Sequence, residues 1–238
     1  MSRTKNNHLF QFKLFSIAQN QCAMKVGTDA VLLATLPKFT NVNSVLDIGT
    51  GTGVLSLMLA QQFPNASITA IELDEAAASQ AATNFANSAW TANMQVIQTD
   101  FEAFDCVNTY DLIISNPPFF TASLTSEDLA KNRARHAPAN LLANWIEKSS
   151  RLLNENGKIA IILPESETEI KQLASQHQLF FDKIIHVHSF ENTPVIRQIF
   201  VLHKRNTITQ NSHFQIYKAQ NSYSEAYIEH LKPYLTIF

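Results

Sequence analysis

The sequence predicts an α/β protein with a central, mostly parallel sheet, helices on both faces and an antiparallel strand near the carboxyl end. Three observations predict this class. Short apolar runs typical of buried strands alternate with longer segments typical of helices. A glycine-rich segment, 49–53, follows one of these strands, where a doubly wound sheet turns from strand to helix. Near the carboxyl end, two strand-like runs follow each other without a helix, which predicts an antiparallel pair.

Length and composition fit one domain. The 238 residues can bury a large core, so we expect a single domain over 1–238, with strands and a helix in 1–40 ahead of an α/β core in 41–238. The net charge of −2 gives no overall sign of nucleic-acid binding, so any contact with RNA needs local basic patches. The two cysteines are far apart and predict free thiols in a reducing compartment.

Targeting and membrane signals are not evident. Residues 1–7 lack the apolar core of a secretory signal. No apolar stretch approaches the roughly 18 residues that a membrane span needs. We therefore expect a cytoplasmic protein that does not enter a membrane.

The first elements are short strands and a helix. Apolar residues alternate with polar ones at Phe10, Phe12 and Leu14. The alternation changes phase at Phe15, which predicts one or two strands with a bulge or turn there. Thr28 and Asp29 can cap a helix that ends near Pro37.

The α/β core follows in order. Its predicted strands are 44–48, 67–72, 94–98, 110–115, 158–163, 183–188 and 196–203. Its predicted helices are 54–64, 75–87, 141–153 and 165–177, with a last helix opened by the capping pattern at 222–225. Residues 121–137 are typical of a loop or a mobile short helix, and Asn156–Gly157 predicts a turn.

Polar groups follow the carboxyl ends of four predicted strands. They are Asp47 with the glycine loop, Glu72, Asp100 and Asn116. Because the carboxyl ends of parallel strands meet at one edge of a sheet, these groups predict a single ligand site there.

The glycine loop carries the first chemical signal. Its glycines are Gly49, Gly51 and Gly53. A tight structural turn is the simpler explanation, but the spacing suits a ligand that lies on the backbone at a helix start. Dinucleotide sites prefer G-x-G-x-x-G, whereas the third glycine comes one residue early here and Asp47 precedes the first by two. This arrangement resembles the Asp-x-Gly-x-Gly-x-Gly loop of Rossmann-like class I S-adenosylmethionine-dependent methyltransferases.

That resemblance implies roles for the neighbouring strand ends. The loop would hold the methionine end and ribose of S-adenosylmethionine, and Glu72 with Leu73 would bind the ribose. Asp100, with Phe101, would accept from the adenine amine, and Asn116 would also contact the cofactor. The alternatives for these acids are favourable charges near a helix start for Glu72 and a turn or N-cap for Asp100.

The segment that follows the fourth core strand carries the second signal. Asn116 supplies an amide oxygen, Pro117 a carbonyl and Phe119 an aromatic face, a set that suits a flat ring with an exocyclic amine. A proline-terminated strand with a loop is the alternative. The run resembles the Asn-Pro-Pro-aromatic motif of methyltransferases that act on adenine N6 or on protein glutamine. Phe119 departs from the usual tyrosine but keeps the stacking face.

The two ends of the chain distinguish these substrates. The segments 10–19, 22–33 and 221–227 resemble the terminal motifs of the bacterial valine-tRNA adenine-N6 methyltransferases. The resemblance implies methylation of adenosine 37, just 3′ of the anticodon, with tRNA as partner. It also implies that Lys25, Gly27 and Thr28 cover the cofactor, as part of 1–40. Basic residues after the motif, Lys131, Arg133 and Arg135, would meet tRNA phosphates, or form a solvated loop.

Several alternatives stay open at this point. The same chemistry could act on ribosomal RNA, DNA or protein glutamine, and the chain could be a dinucleotide oxidoreductase or a non-catalytic RNA-binding module. His186 and His188 share a strand face without a third ligand, so we expect no metal. A monomer is the simpler expectation for the oligomeric state.

Overall fold

The computed structural model describes residues 8–22, 25–117, 138–164 and 166–238 of the chain. Its strands are Leu9–Gln11 (β1), Ser16–Ala18 (β2), Ser44–Ile48 (β3), Ser67–Glu72 (β4), Met94–Gln98 (β5), Tyr110–Ser115 (β6), Leu153–Leu163 (β7), Phe180–His188 (β8), Val195–His203 (β9), Gln210–Gln215 (β10), Tyr217–Ala219 (β11) and Ser222–Tyr223 (β12). Its helices are Thr28–Thr35 (α1), Val54–Gln62 (α2), Glu75–Ala86 (α3), Pro138–Leu152 (α4), Glu167–Gln176 (α5) and Glu225–Leu231 (α6), with a 3₁₀ helix at Thr91–Asn93.

The main sheet has the strand order β10-β8-β9-β7-β6-β3-β4-β5. All neighbouring pairs are parallel except those of β9, which is antiparallel to β7 and to β8. The predicted mostly parallel sheet with an antiparallel strand near the carboxyl end is therefore confirmed. The order reverses beside β3, because β4 and β5 extend the sheet on one side and β6 extends it on the other. Such a switch point is where doubly wound sheets bind ligands.

Helices cover both faces of the sheet, as predicted. Successive residues of a strand point to opposite faces. On β6, Leu112 and Ile114 pack on the face covered by α1, α2, α3 and α6, whereas Ile113 packs under α4 and α5. Both faces are therefore apolar, which explains why these strands are continuous hydrophobic runs in the sequence.

The hairpin of β1 and β2 packs against the segment that follows α6. Phe12, which is fully buried, forms an antiparallel bridge with Leu235. The Lys13 ammonium donates to the carbonyl oxygens of Lys232 (2.5 Å) and Phe238 (2.9 Å). The segments that carry the two terminal motifs thus belong to one packed region.

The predicted caps of α1 were wrong. The N-cap is Gly27, which has extended backbone and no capping side chain. Asp29 instead accepts from the Arg197 side chain on β9 at 2.8 Å. A partner 168 residues away along the chain outweighed the local capping preference, which contributes only about 1 kcal/mol.

The predicted turn at Asn156–Gly157 was also wrong, because these residues lie inside β7. Leu153 pairs with Tyr110 and Lys158 pairs with Leu112, so residues 154–157 bulge opposite a single residue of β6. A Cβ on Gly157 would lie 2.8 Å from the Tyr110 carbonyl oxygen, so the bulge requires glycine there.

Candidate active site

The predicted strand ends meet at one edge of the sheet. Ile48, the last residue of β3, pairs with Ser115 of β6 and with Ile71 of β4. The glycine loop and Asn116 therefore leave the sheet side by side, on strands about 5 Å apart. The buried Ser115 hydroxyl donates to the Ile48 carbonyl at 2.7 Å and holds the two strand ends together.

Left-handed backbone shapes the glycine loop. Gly49, Gly51 and Gly53 have φ angles of 72°, 56° and 81°. A Cβ on Gly53 would come within 2.5 Å of Phe85 on α3, so this position needs glycine for packing as well as for backbone. Over Gly49 and Gly51 a Cβ would meet none of the described residues within 4 Å, so a ligand can approach the backbone there.

The buried Asp47 carboxylate stabilises the glycine loop through side-chain hydrogen bonds. Its Oδ2 accepts from the hydroxyls of Thr50 and Ser56, both at 2.7 Å, and the residue is 1% exposed. Its Oδ1 has no hydrogen-bond partner within the described residues. Burial raises the pKa of Asp47 to about 6; the two hydroxyl donors lower it, and the Glu72 carboxylate raises it further.

Asp47 is expected to make stability depend on pH. Its pKa is about 6 in the folded chain against an ordinary value of 3.8, so the folded state binds more protons between these values and becomes less stable as pH rises through them. Asp47→Asn should remove about 2 kcal/mol from the difference in unfolding free energy between pH 4 and pH 7, because part of the effect already falls below pH 4. Urea unfolding of the wild-type protein and of Asp47→Asn between pH 4 and pH 7 measures this difference.

Asp105→Asn, which changes an exposed carboxylate, is the control for that experiment. Equal pH slopes for the wild-type protein and Asp47→Asn would contradict the assignment of the slope to Asp47.

Glu72 organises the turn that follows β4. Its Oε2 accepts from the Gly51 amide at 2.8 Å, and its Oε1 accepts from the amides of Leu73 (2.8 Å) and Asp74 (3.0 Å). Leu73 is 49% exposed beside it. The carboxylate thus connects the glycine loop to the end of β4 and retains lone pairs for further donors.

Asp100 forms a turn after β5. Its Oδ1 accepts from the Glu102 amide at 2.9 Å, the geometry of the alternative that the sequence left open. The Lys148 ammonium lies 5.2 Å from the centre of the Phe101 ring and donates to the Phe101 carbonyl at 2.6 Å. Binding of an adenine amine by Asp100 stays a prediction.

Asn116 and Pro117 follow the last residue of β6, at the switch point of the sheet. The Asn116 side chain is partly exposed, and it makes no hydrogen bond within the described part of the chain. Pro117 is buried, which fixes the backbone after Asn116. An amide side chain that bonds to none of the described residues, on a backbone that is held in place, can accept a hydrogen bond from a ligand. The predicted residues Phe119, Lys131, Arg133 and Arg135 lie outside the described residues.

Asn84 on α3 joins the amino-terminal hairpin to the glycine loop, and sequence reasoning missed it. Its Nδ2 donates to the carbonyls of Thr52 (2.8 Å) and Ala18 (2.9 Å), and its Oδ1 accepts from the Ala18 amide (2.9 Å). The residue is only 3% exposed. The available signal was a polar residue on the apolar side of α3, since buried polar groups must find partners.

Asn84→Asp is expected to lower the unfolding free energy by about 2–4 kcal/mol, because an acceptor would replace the Nδ2 donor and face two carbonyl oxygens. Thermal or urea unfolding measures the change. Asn93→Asp is a matched control, since Asn93 is exposed and makes one long bond to the Pro64 carbonyl at 3.2 Å. Equal losses of unfolding free energy in Asn84→Asp and Asn93→Asp would contradict the stabilising role assigned to the Asn84 hydrogen bonds.

The segment that leads into α1 passes close to Glu72. Burial, and then the carboxylates of Glu72 and Asp74, raise the pKa of the Cys22 thiol to about 11. The buried Gln19 side chain accepts from the Val26 amide at 2.9 Å and steadies this segment. The predicted cover residues are exposed and belong to it, and their contact with a cofactor stays a prediction; they are Lys25, Gly27 and Thr28.

Neither a metal-binding cluster nor a membrane-crossing helix is present among the described residues. They contain no group of three or more histidine, cysteine, aspartate or glutamate side chains that could hold a metal. They also contain no helix whose length and apolar character would suit a membrane crossing.

Comparison with known proteins identifies the family. A family model described as "Methyltransferase small domain" matches residues 21–180. A protein of Pedobacter heparinus named tRNA1(Val) (adenine(37)-N6)-methyltransferase is 37% identical over 230 residues, which cover 96% of this chain and 98% of that protein. The chain belongs to the tRNA1(Val) (adenine(37)-N6)-methyltransferase family.

Other comparisons agree with this family and with its fold. A Pseudoalteromonas translucida protein of the same name is 38% identical over 220 residues, covering 92% of this chain and 94% of that protein. The crystal structure of a predicted O-methyltransferase from Agrobacterium tumefaciens has a TM-score of 0.67 at 17% identity, covering 87% of this chain and 96% of that one. That likeness supports the methyltransferase fold alone. The family predicted from the sequence motifs is confirmed.

Proposed function

We propose that this protein transfers a methyl group from S-adenosylmethionine to the N6 amine of adenosine 37 in valine tRNA. The observation that carries the proposal is the pairing of Ile48 with Ser115, which sets the glycine loop beside Asn116. Relatives named for this reaction align with nearly the whole chain.

The residues around the glycine loop fit S-adenosylmethionine. The open space over Gly49 and Gly51 leaves room for a ligand, and the Glu72 carboxylate beside it can accept from ribose hydroxyls. The cofactor, when bound, supplies an electrophilic methyl group on its sulfonium. The residues that would hold it are Asp47, Gly49, Gly51, Gly53, Glu72, Leu73, Asp100, Phe101 and Asn116, with Lys25, Gly27 and Thr28 as a cover.

Asn116 and Pro117 would orient the target amine. The Asn116 amide oxygen and the Pro117 carbonyl would accept its two hydrogens, which turns the nitrogen lone pair out of the ring. The same acceptors would stabilise the positive charge that develops on nitrogen. Most of the acceleration then comes from alignment, and no strong base is needed because the proton can leave after transfer. Phe119 would stack on the adenine.

An anticodon-loop adenosine suits such a site. The base is unpaired, so its exposure costs less than flipping a base out of a duplex. The cluster of Lys131, Arg133 and Arg135 follows the motif in the sequence and would neutralise nearby phosphates. A tRNA substrate puts the reaction in the cytoplasm, and one subunit would carry a complete site.

Methyl transfer assays with a substrate panel test the proposal. The protein would be incubated with methyl-labelled S-adenosylmethionine and with valine tRNA, ribosomal RNA, DNA or a glutamine peptide, and the products digested and analysed by mass spectrometry. We expect N6-methyladenosine in valine tRNA only, and none in a transcript with guanosine at position 37. Preferred methylation of another substrate, or no transfer to any, would contradict the proposal.

A further inference from the structure

Four aromatic rings form a column at the carboxyl ends of β8 and β10. The rings of Phe190 and Tyr217 lie 5.5 Å apart, those of Tyr217 and Tyr223 5.2 Å, and those of Tyr223 and Tyr227 4.6 Å. The last two pairs are stacked, with interplanar angles of 22° and 7°. We call these four residues the aromatic column.

The column is buried at one end and open at the other. Tyr227 is 5% exposed, whereas Phe190 is 37% exposed. Within the described residues, the one aromatic contact of Phe190 is with Tyr217. The inner rings hold β11, β12 and α6 on the sheet, but that role does not require an exposed phenylalanine at the end. An exposed terminal ring can instead be covered by one more flat ring.

A cavity of about 390 Å³ lies against Phe190. Its polar lining consists of His188, Glu191, Asn192, His213 and Gln215. His188 Nδ1 donates to the Thr193 carbonyl at 2.6 Å and its Nε2 lies 2.9 Å from His213 Nδ1, which fixes both rings. The cavity therefore combines an aromatic face with amide, imidazole and carboxylate edges.

These features match a nucleobase better than a phosphate. A base presents a flat face for stacking and an edge of donors and acceptors, which amides and carboxylates can read. The Glu191 carboxylate would repel a phosphate but can accept from a base amine. A cavity of this volume lies within the usual range for small ligands.

The cavity opens on the same edge of the sheet as Asn116. β8 is separated from β6 by β7 and β9, and its carboxyl end points in the same direction as that of β6. Three strand intervals amount to about 14 Å across the sheet. The pairing register puts His188 three residues, about 10 Å, beyond the level of Asn116 along the strands, so the two sites lie about 17 Å apart. An RNA loop whose target base reaches Asn116 can therefore place another unpaired base near β8.

We propose that this cavity binds a second unpaired nucleobase of the RNA substrate, stacked on Phe190 and read by Asn192 and Gln215. The proposal rests on the proposed function, because it takes an RNA loop as the substrate. It gives the protein a contact for substrate selection that is separate from the methyl transfer site.

Steady-state kinetics with valine tRNA test this pocket. Phe190→Ala should raise the KM for tRNA about tenfold, the loss expected when one base loses its aromatic partner, and leave the KM for S-adenosylmethionine unchanged. Phe190→Tyr should restore the wild-type KM because it keeps the ring. Ile208→Ala is the matched control, since Ile208 is 92% exposed and precedes the amino end of β10, at the opposite edge.

Two results would contradict the proposal that this cavity binds a nucleobase. One is an active Phe190→Ala protein whose KM for tRNA stays within twofold of the wild-type value. The other is an increase in KM that Phe190→Tyr fails to reverse. If the tRNA kinetics are unchanged, sedimentation of the free protein identifies the other role, because self-association lost in Phe190→Ala would assign the ring to contact with a second copy. Absence of methyl transfer by the wild-type protein would instead contradict the proposed function.

Discussion

Asn116→Ala is expected to lower kcat for methylation of valine tRNA by about 10²–10³-fold, the usual loss when one group that stabilises developing charge is removed. Asn116 directly follows β6, beside the glycine loop. Its side-chain amide has no hydrogen-bond partner within the described residues, so we expect it to bind the substrate. The alanine variant should keep its fold, because Ser115 and Pro117 hold the backbone on either side. Single-turnover kinetics with labelled S-adenosylmethionine measure the change.

Two further variants separate chemistry from binding. Asn65→Ala removes an exposed asparagine from the turn after α2 and should leave kcat unchanged. Asn116→Asp keeps an acceptor oxygen but loses the amide, so it should retain more activity than the alanine variant. The dissociation constant for S-adenosylmethionine, measured for each variant, shows how much of the change comes from cofactor binding by Asn116. Full activity of Asn116→Ala would contradict the mechanism derived for the amine.

The edge of the sheet that carries the site could be predicted because its signals are local. A strand, a glycine cluster and a helix follow one another in the sequence, and parallel strands bring their carboxyl ends together by geometry. The glycine at position 53 could be recognised from its spacing. The contact that makes it necessary, with Phe85, lies 32 residues further along the chain and could not.

Features that depend on tertiary contacts were not predictable. Asn84 is one residue of an alanine-rich helix in the sequence, and its two carbonyl partners come from separate segments. β10 contains one buried apolar residue, Phe214, so its sequence lacks the alternation typical of a strand. Pairing with β8 supplies the stability that its own sequence does not predict.

The aromatic column could not be predicted from the sequence for a related reason. Phenylalanines are more often core residues than binding residues, and nothing local distinguishes Phe190 from the others. Its exposure follows from the turn between β8 and β9, where the Thr193 hydroxyl donates to the Phe190 carbonyl at 2.7 Å. A functional surface built from three separate segments can be recognised only once they are folded together.

Glu72→Gln is expected to weaken binding of S-adenosylmethionine by about 10–100-fold. The Glu72 carboxylate accepts three backbone amides through its two oxygens, and one of these comes from Gly51 in the loop. A glutamine has one acceptor oxygen, so its amide group would face either the Gly51 donor or the donors after β4. Hydrogen bonds to a charged acceptor contribute about 1.5–3 kcal/mol each, so loss of the loop contact and of a charged acceptor for ribose accounts for the expected change.

Calorimetric titration with S-adenosylmethionine measures this loss. Glu75→Gln is the matched control, because Glu75 is an exposed carboxylate in the first turn of α3, three residues away. Unfolding of the ligand-free proteins should show that Glu72→Gln still folds, which assigns the loss to binding. Equal binding of the cofactor by Glu72→Gln and Glu75→Gln would contradict this prediction. The Glu72 carboxylate would then stabilise only the turn after β4, and another residue would bind the ribose.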